Sequence, residues 1–211
     1  MDDMPEVFLL SLARDTNGIN SDLIYDLADR CHLKGTKAGH AAIRQLENKP
    51  PKVIIATDEG LTQPEHRDVL EKVRQYVERG GILIFAIHFS SVTPEDVFNS
   101  FFEQTFGVPW RKGIYLRDAF PAAYRNIEAQ HVINTQPHEI IMGPVPDEEL
   151  SRSHPFQPAP EPVDKSQAAV VGTKVGDGYL AHIGYPNHEN RATKVIMELC
   201  GLKKPIDPWY F

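Results

Sequence analysis

The stretch Gly80-Gly81-Ile82-Leu83-Ile84-Phe85-Ala86-Ile87-His88-Phe89-Ser90-Ser91 decides the fold. A glycine pair opens an unbroken apolar run, and the run ends at a histidine close to a serine pair. The segment Thr93-Pro94-Glu95-Asp96, a helix start, follows directly. An apolar run without polar alternation marks a strand covered on both faces, as in a parallel sheet. Strand, sharp turn and helix in this order is how α/β enzymes present a reactive side chain at a sheet edge.

The same unit recurs upstream. Val7-Phe8-Leu9-Leu10 reads as a first strand within residues 6–12, and residues 52–57 as a second. A helix capped at Asn20 or Ser21 and running to Cys31 is expected between them, followed by a shorter helical segment at 41–46. Thr62-Gln63-Pro64-Glu65 has the form of a capping box before a helix with Val69, Leu70, Val73 and Val77 on one face, stopped at Gly80. The third strand spans 82–87, and the helix after it carries Val97, Phe98, Phe101, Phe102 and Phe106, stopped at Gly107. Alternating strands and helices predict parallel strands joined by right-handed crossovers.

Residues 108–165 break this rhythm. The part up to 134 suggests short antiparallel strands outside the main unit, and the proline-rich part from 137 to 162 suggests an irregular excursion. Gly176-Asp177-Gly178 is a hairpin signal between strands at 168–174 and 178–184, and a last helix is expected from Asn187 to Cys200 with a stop at Gly201. The expected whole is a single domain: a three-layer α/β/α flavodoxin-like fold with a mainly parallel central sheet.

Composition excludes several classes. A formal charge of −7 with no basic run argues against nucleic acid and against an acidic membrane surface. No apolar stretch is long enough to span a bilayer, and the acidic start lacks the pattern of a secretory signal. Two cysteines, Cys31 and Cys200, make no disulfide framework and read as buried helix thiols. A cytoplasmic setting is the expectation. No glycine-rich phosphate loop follows the first strand, and no short metal-ligand spacing occurs, so neither cofactor nor metal is expected.

In an open parallel sheet ligands sit beyond the carboxyl ends of the strands. Those ends carry Arg14 and Asp15, Asp58 and Glu59, His88 with Ser90 and Ser91, and Tyr185 with Asn187, His188 and Glu189. Imidazole beside carboxylate suits proton transfer near neutral pH. His88, His188, Glu189 and Asp58 are the candidate catalytic residues. Glu59, Ser90, Ser91, Arg14, Asp15, Tyr185 and Asn187 are candidate substrate contacts.

These segments carry a resemblance. Tyr76-Val77-Glu78-Arg79-Gly80-Gly81, the elbow from Phe85 to Ser91, residues 176–184 and the helix ending Met197-Glu198-Leu199-Cys200-Gly201-Leu202 resemble the class I glutamine amidotransferase-like superfamily, in particular its ThuA-like branch. The resemblance implies the fold above. The glutaminases of that superfamily use an elbow cysteine and a His-Pro-Glu after the last strand. Here His88 stands for the cysteine, and His188-Glu189 lacks the proline, so a thioester route is disfavoured. The expectation is a hydrolase or lyase acting on a polar metabolite by acid–base chemistry. The alternatives are a non-catalytic binding or assembly module, with the tail Trp209-Tyr210-Phe211 as a homodimer contact, and a metal-dependent hydrolase using His88, Asp58 and His188.

Overall fold

The computed structural model describes residues 4–14, 21–118, 127–143, 167–185 and 190–202. Strands β1 (Glu6–Leu10), β2 (His32–Thr36), β3 (Val53–Ala56), β4 (Ile82–Phe85), β7 (Ile140–Met142), β8 (Val170–Val175) and β9 (Gly178–Ile183) form one sheet in the order β2-β1-β3-β4-β9-β8-β7. Every pairing from β2 across to β9 is parallel, while β8 runs antiparallel to β9 and β7 antiparallel to β8. β5 (Arg111–Asp118) and β6 (Ile127–Ile133) form a separate antiparallel pair. That pair is fastened to the main sheet where the Gln130 amide donates to the Gly184 carbonyl and Val132 bridges Ala168.

Alternation along each strand sorts the core into two layers. Val7, Leu9, Val53, Ile55 and Ile84 face one way, against α1 (Ser21–Ala28) and a C-terminal helix, α6 (Asn190–Leu199). Phe8, Leu10, Ile54, Leu83 and Phe85 face the other way, against α2 (Gly39–Asn48), α3 (Arg67–Glu78) and α5 (Glu95–Phe106). A four-residue helix, α4 (Phe89–Val92), sits between β4 and α5.

The glycine pair of the deciding stretch has a local cause. Gly80 takes φ +107°, which a side chain rarely adopts. A Cβ at Gly81 would enter the ring of Tyr76. That ring lies there because its hydroxyl donates to the Lys52 carbonyl at 2.9 Å and accepts from the Ile82 amide at 3.1 Å, clamping the starts of β3 and β4 together.

Several expectations change. β2 was not legible as a strand: it is a polar edge strand that carries no apolar run. The capping box does not form, since residues 59–66 make two 3-10 turns, Thr62 donates its hydroxyl to the Glu59 carbonyl, and α3 starts only at Arg67. Cys31 and Cys200 lie just beyond α1 and α6 rather than inside them. Both are buried, and burial pushes their thiols up to about 11 and about 12. The hairpin at Gly176-Asp177 and the glycine stop at Gly107 (φ +68°) form as expected. Of the excursion, residues 137–143 form a 3-10 turn and the edge strand β7, and 144–166 lie outside the described residues.

Phe85, Phe89, Phe98, Phe101, Phe102 and Phe106 pack edge-on or tilted, with ring centroids 4.5–6.5 Å apart. His182 of β9 is fully buried against this group, its ring 5.2 Å from Phe98 and 6.0 Å from Phe89. Neither ring nitrogen has a hydrogen-bond partner among the described residues. Burial, helped by the charge of Lys112, lowers its pKa from 6.5 to about 3.

Two predictions follow from this packing. Phe102→Ala should cost about 3–5 kcal/mol in urea unfolding, as expected for a fully buried ring. His182 is neutral in the fold, whereas the unfolded chain takes up its proton as pH falls through 6.5. Its contribution is therefore complete above pH 6.5 and is lost progressively towards pH 3. A melting series from pH 7 to pH 4 should fall more steeply for the native chain than for His182→Leu. Parallel curves would show that the imidazole is not the acid-sensitive group.

Candidate active site

β1, β3 and β4 run side by side and in register, Leu10 opposite Ala56 and Ala56 opposite Phe85, so their following loops meet at one rim. The Ser11 and Thr57 hydroxyls, 2.6 Å apart, join the first two loops just past the strands. Asp58 comes next and is buried. One carboxylate oxygen accepts from the amides of Gly60 (3.0 Å) and Leu12 (3.2 Å), and the other from Ala13 (3.0 Å) and Arg14 (2.9 Å). Four backbone N–H groups thus surround one anion, like a helix N-terminus built from two loops. Gly60 is required for this approach, because a Cβ there would overlap Leu12 Cβ.

The Asp58 carboxylate is therefore an anchor for the β1 loop. What it positions is Arg14, whose Nε lies 3.1 and 2.9 Å from the two Glu59 oxygens, with a further ion-pair contact at 2.9 Å. Burial alone would raise the Glu59 carboxyl. The Arg14 hydrogen bond, a backbone bond and the charges of Arg14 and His88 outweigh it and hold the group below the usual carboxylate range. The Arg14 guanidinium is correspondingly raised, chiefly by that hydrogen bond.

His88 stands at the N-cap of α4, half-buried. Its amide donates to the Thr57 carbonyl at 2.9 Å, which ties the elbow to the second loop. The backbone strain falls one residue earlier than the resemblance suggests. Ile87 has φ +66°, a rare conformation for a β-branched residue, and its side chain is buried in the core. The apex of the turn is thus filled by hydrocarbon, and His88 is the first polar residue after it. Ser90 is buried, whereas Ser91 is exposed and donates its hydroxyl to the His88 carbonyl at 2.9 Å.

The rim therefore gathers Arg14, Asp58, Glu59, His88 and Ser91. Tyr185 is elsewhere: it is fully buried among the residues packed under α1 and α6, with its hydroxyl on Met142 Sδ. Asp15, Asn187, His188 and Glu189 lie outside the described residues. Among the described residues no group of three or more His, Cys, Asp or Glu is placed to hold a metal ion. Nor is any described helix long and apolar enough to cross a membrane.

Lys112 was missed at the sequence level. Its ammonium donates to the Thr93 carbonyl at 2.6 Å, just past α4, and burial lowers its pKa against the opposing charge of Glu95. A lone lysine in the irregular region gives no sequence signal of such a contact.

The architecture is a three-layer α/β/α, flavodoxin-like fold with a mostly parallel sheet. Solved structures share it. A ThuA-like protein from Bacteroides uniformis is 12% identical with a TM-score of 0.54, over 92% of this chain and 89% of that one. A β-galactosidase from the Antarctic haloarchaeon Halorubrum lacusprofundi is 14% identical with a TM-score of 0.53, over 95% of this chain. The chain spans about 30% of the length of that β-galactosidase. No protein-family model matches the chain, and no curated protein matches it in sequence.

Asp58→Ala would remove the acceptor of one buried amide, that of Gly60, and of three partly buried ones, those of Leu12, Ala13 and Arg14; a buried amide left unsatisfied costs about 1–3 kcal/mol. The expected result is strong destabilisation, with Asp58→Asn intermediate. Hydrogen exchange at Leu12, Ala13 and Arg14 should accelerate in Asp58→Asn, and unchanged protection there would remove the anchoring role.

Proposed function

We propose that the chain is a small-molecule enzyme working by acid–base chemistry, of hydrolase or lyase type, on a polar metabolite. The observation that carries this reading is the convergence at one rim of the Arg14–Glu59 ion pair and the half-buried His88, on loops tied together by the His88 amide on the Thr57 carbonyl. His88 takes or gives the proton. Glu59 would orient the ring. Asp58 acts as a positioning residue through the β1 loop, and Ser91 offers a hydroxyl to substrate. His188 and Glu189, which follow β9 in sequence, would supply the second polar wall.

Membership of the class I glutamine amidotransferase-like superfamily, in its ThuA-like branch, is supported by the fold and by the glycine-pair and elbow segments. A glutaminase reaction is not part of the proposal, because neither Ile87 nor His88 supplies a thiolate. The proposed setting is cytoplasmic, with a small-molecule partner and without nucleic acid or membrane.

A second reading is a binding or assembly module. It is favoured by the apolar apex at Ile87 and by the haloarchaeal β-galactosidase, in which the matching fold is a segment of a longer chain. In that reading the aromatic tail, which lies outside the described residues, joins two copies.

Ligand-observed NMR against a panel of polar metabolites, followed by turnover assays on each binder, tests both. Under the first reading one binder is consumed. His88→Gln then lowers kcat by about 10²-fold or more, and Glu59→Gln lowers it less. Binding without turnover of any binder, together with a dimer lost on truncation after Pro205, would establish the second reading instead.

A further inference from the structure

We propose that α4, the turn that carries Ser91 beside His88 at the rim, is a gate: the neutral His182 ring is enclosed while it is shut, and a proton on that ring opens it. Only the effect of the gate on turnover rests on the acid–base role proposed for His88. α4 is a single turn. The Ser91 and Val92 amides donate to the His88 carbonyl at 3.0 Å, and the Thr93 amide donates to the Phe89 carbonyl at 3.1 Å. Just past the turn, the Lys112 ammonium holds the Thr93 carbonyl at 2.6 Å. Just before it, Ile87 keeps its left-handed φ of +66°, a strain that loosening of the turn would relieve.

The His182 ring is what Phe89 of α4 packs on, at 6.0 Å, together with Phe98 and Phe102 of α5 at 5.2 and 6.2 Å. These rings offer carbon where the two imidazole nitrogens need partners. A buried polar group in such surroundings weakens the packing around it, and a hydrocarbon of similar size would not. His182 is therefore the weak point of the layer that holds α4 down.

The elements around the ring decide what a proton does there. In the ladder, β4 and β8 set Phe85 and Val171 opposite His182. α4 and α5 present phenylalanines. Among the described residues the charge that acts on the ring is that of Lys112 from β5, and it opposes a second cation. Glu95 of α5 acts on Lys112. Glu139, a buried carboxylate bordering the same layer, already accepts from Trp110 Nε1 and the Gln136 amide. An imidazolium thus meets a lysine and no carboxylate, so it must reach water. The strands on either side are locked in the sheet. The cover that can lift is α4 with the first turn of α5.

The test is amide hydrogen exchange on the full native chain and on His182→Leu, at pH 7 and pH 5, corrected for intrinsic exchange. At pH 5 a solvated imidazole is mostly protonated and the enclosed one is not, so opening is favoured by about tenfold or more over pH 7. Protection of the Val92, Thr93 and Phe98 amides should fall by that factor in the native chain and stay level in His182→Leu. At pH 7 the variant should be protected at least as well as the native chain. The Phe8 and Ile54 amides of β1 and β3 should stay better protected than those of α4, which marks the opening as local. An equal fall in both proteins would assign the pH response to His88 or another group and overturn the gate. Exchange of the α4 amides only as fast as Phe8 and Ile54 would overturn it too, since the chain then opens as a whole. Should His182→Leu fail to fold, His182→Gln, uncharged at both pH values, takes its place. The readout involves no turnover, so failure of the gate leaves the role of His88 standing.

Discussion

One buried carboxylate organises the candidate active end of this molecule. Asp58 draws the Leu12, Ala13 and Arg14 amides of one loop and the Gly60 amide of another onto two oxygens. Burying an anion is costly unless its lone pairs are filled, and here backbone donors fill them. The consequence extends outward. With the loop fixed, Arg14 meets Glu59 and helps hold its carboxyl below the usual range, on the same rim as His88. The site is built from the inside: the innermost acid does structural work and the next residue along holds Arg14 at the rim.

The elbow follows a related logic. Ile87 occupies a backbone conformation costing about 1–3 kcal/mol, and it is held there by the His88 amide on Thr57 and by the core around its side chain. The strained turn persists although no nucleophile sits at its apex. What it achieves in this chain is direction: β4 stops abruptly, α4 starts, and the histidine between them is left at the rim.

The parts legible in the sequence were those written in hydrophobic pattern. β1, β3 and β4 are unbroken apolar runs, α5 shows its phenylalanine face at helical spacing, and the β8–β9 turn is announced by Gly176-Asp177-Gly178. Parts that depend on neighbours far along the chain were not legible. β2 is a polar edge strand ordered by its ladder to β1. Asp58 and Glu59 are adjacent acids in the sequence, yet one is sealed by amides and the other, 16% exposed, pairs with Arg14. His182 looks like any polar residue in a strand until the phenylalanine rings of α4 and α5 close on it. Tyr185 follows a strand end, as the rim residues do, but turns into the core instead.

The order of strands has a consequence for how the chain is made. β9, nearly a hundred residues later in the chain, is the neighbour of β4, and its turn is docked on the end of α3 by the Asp177 amide on the Glu78 carbonyl. While a ribosome is still extending the chain, β1 to β4 are already available, and one edge of β4 is a bare row of unpaired N–H and C=O groups on an apolar strand. That edge stays open until residues 178–183 emerge. Premature termination before that point would release a half-sheet with an adhesive margin.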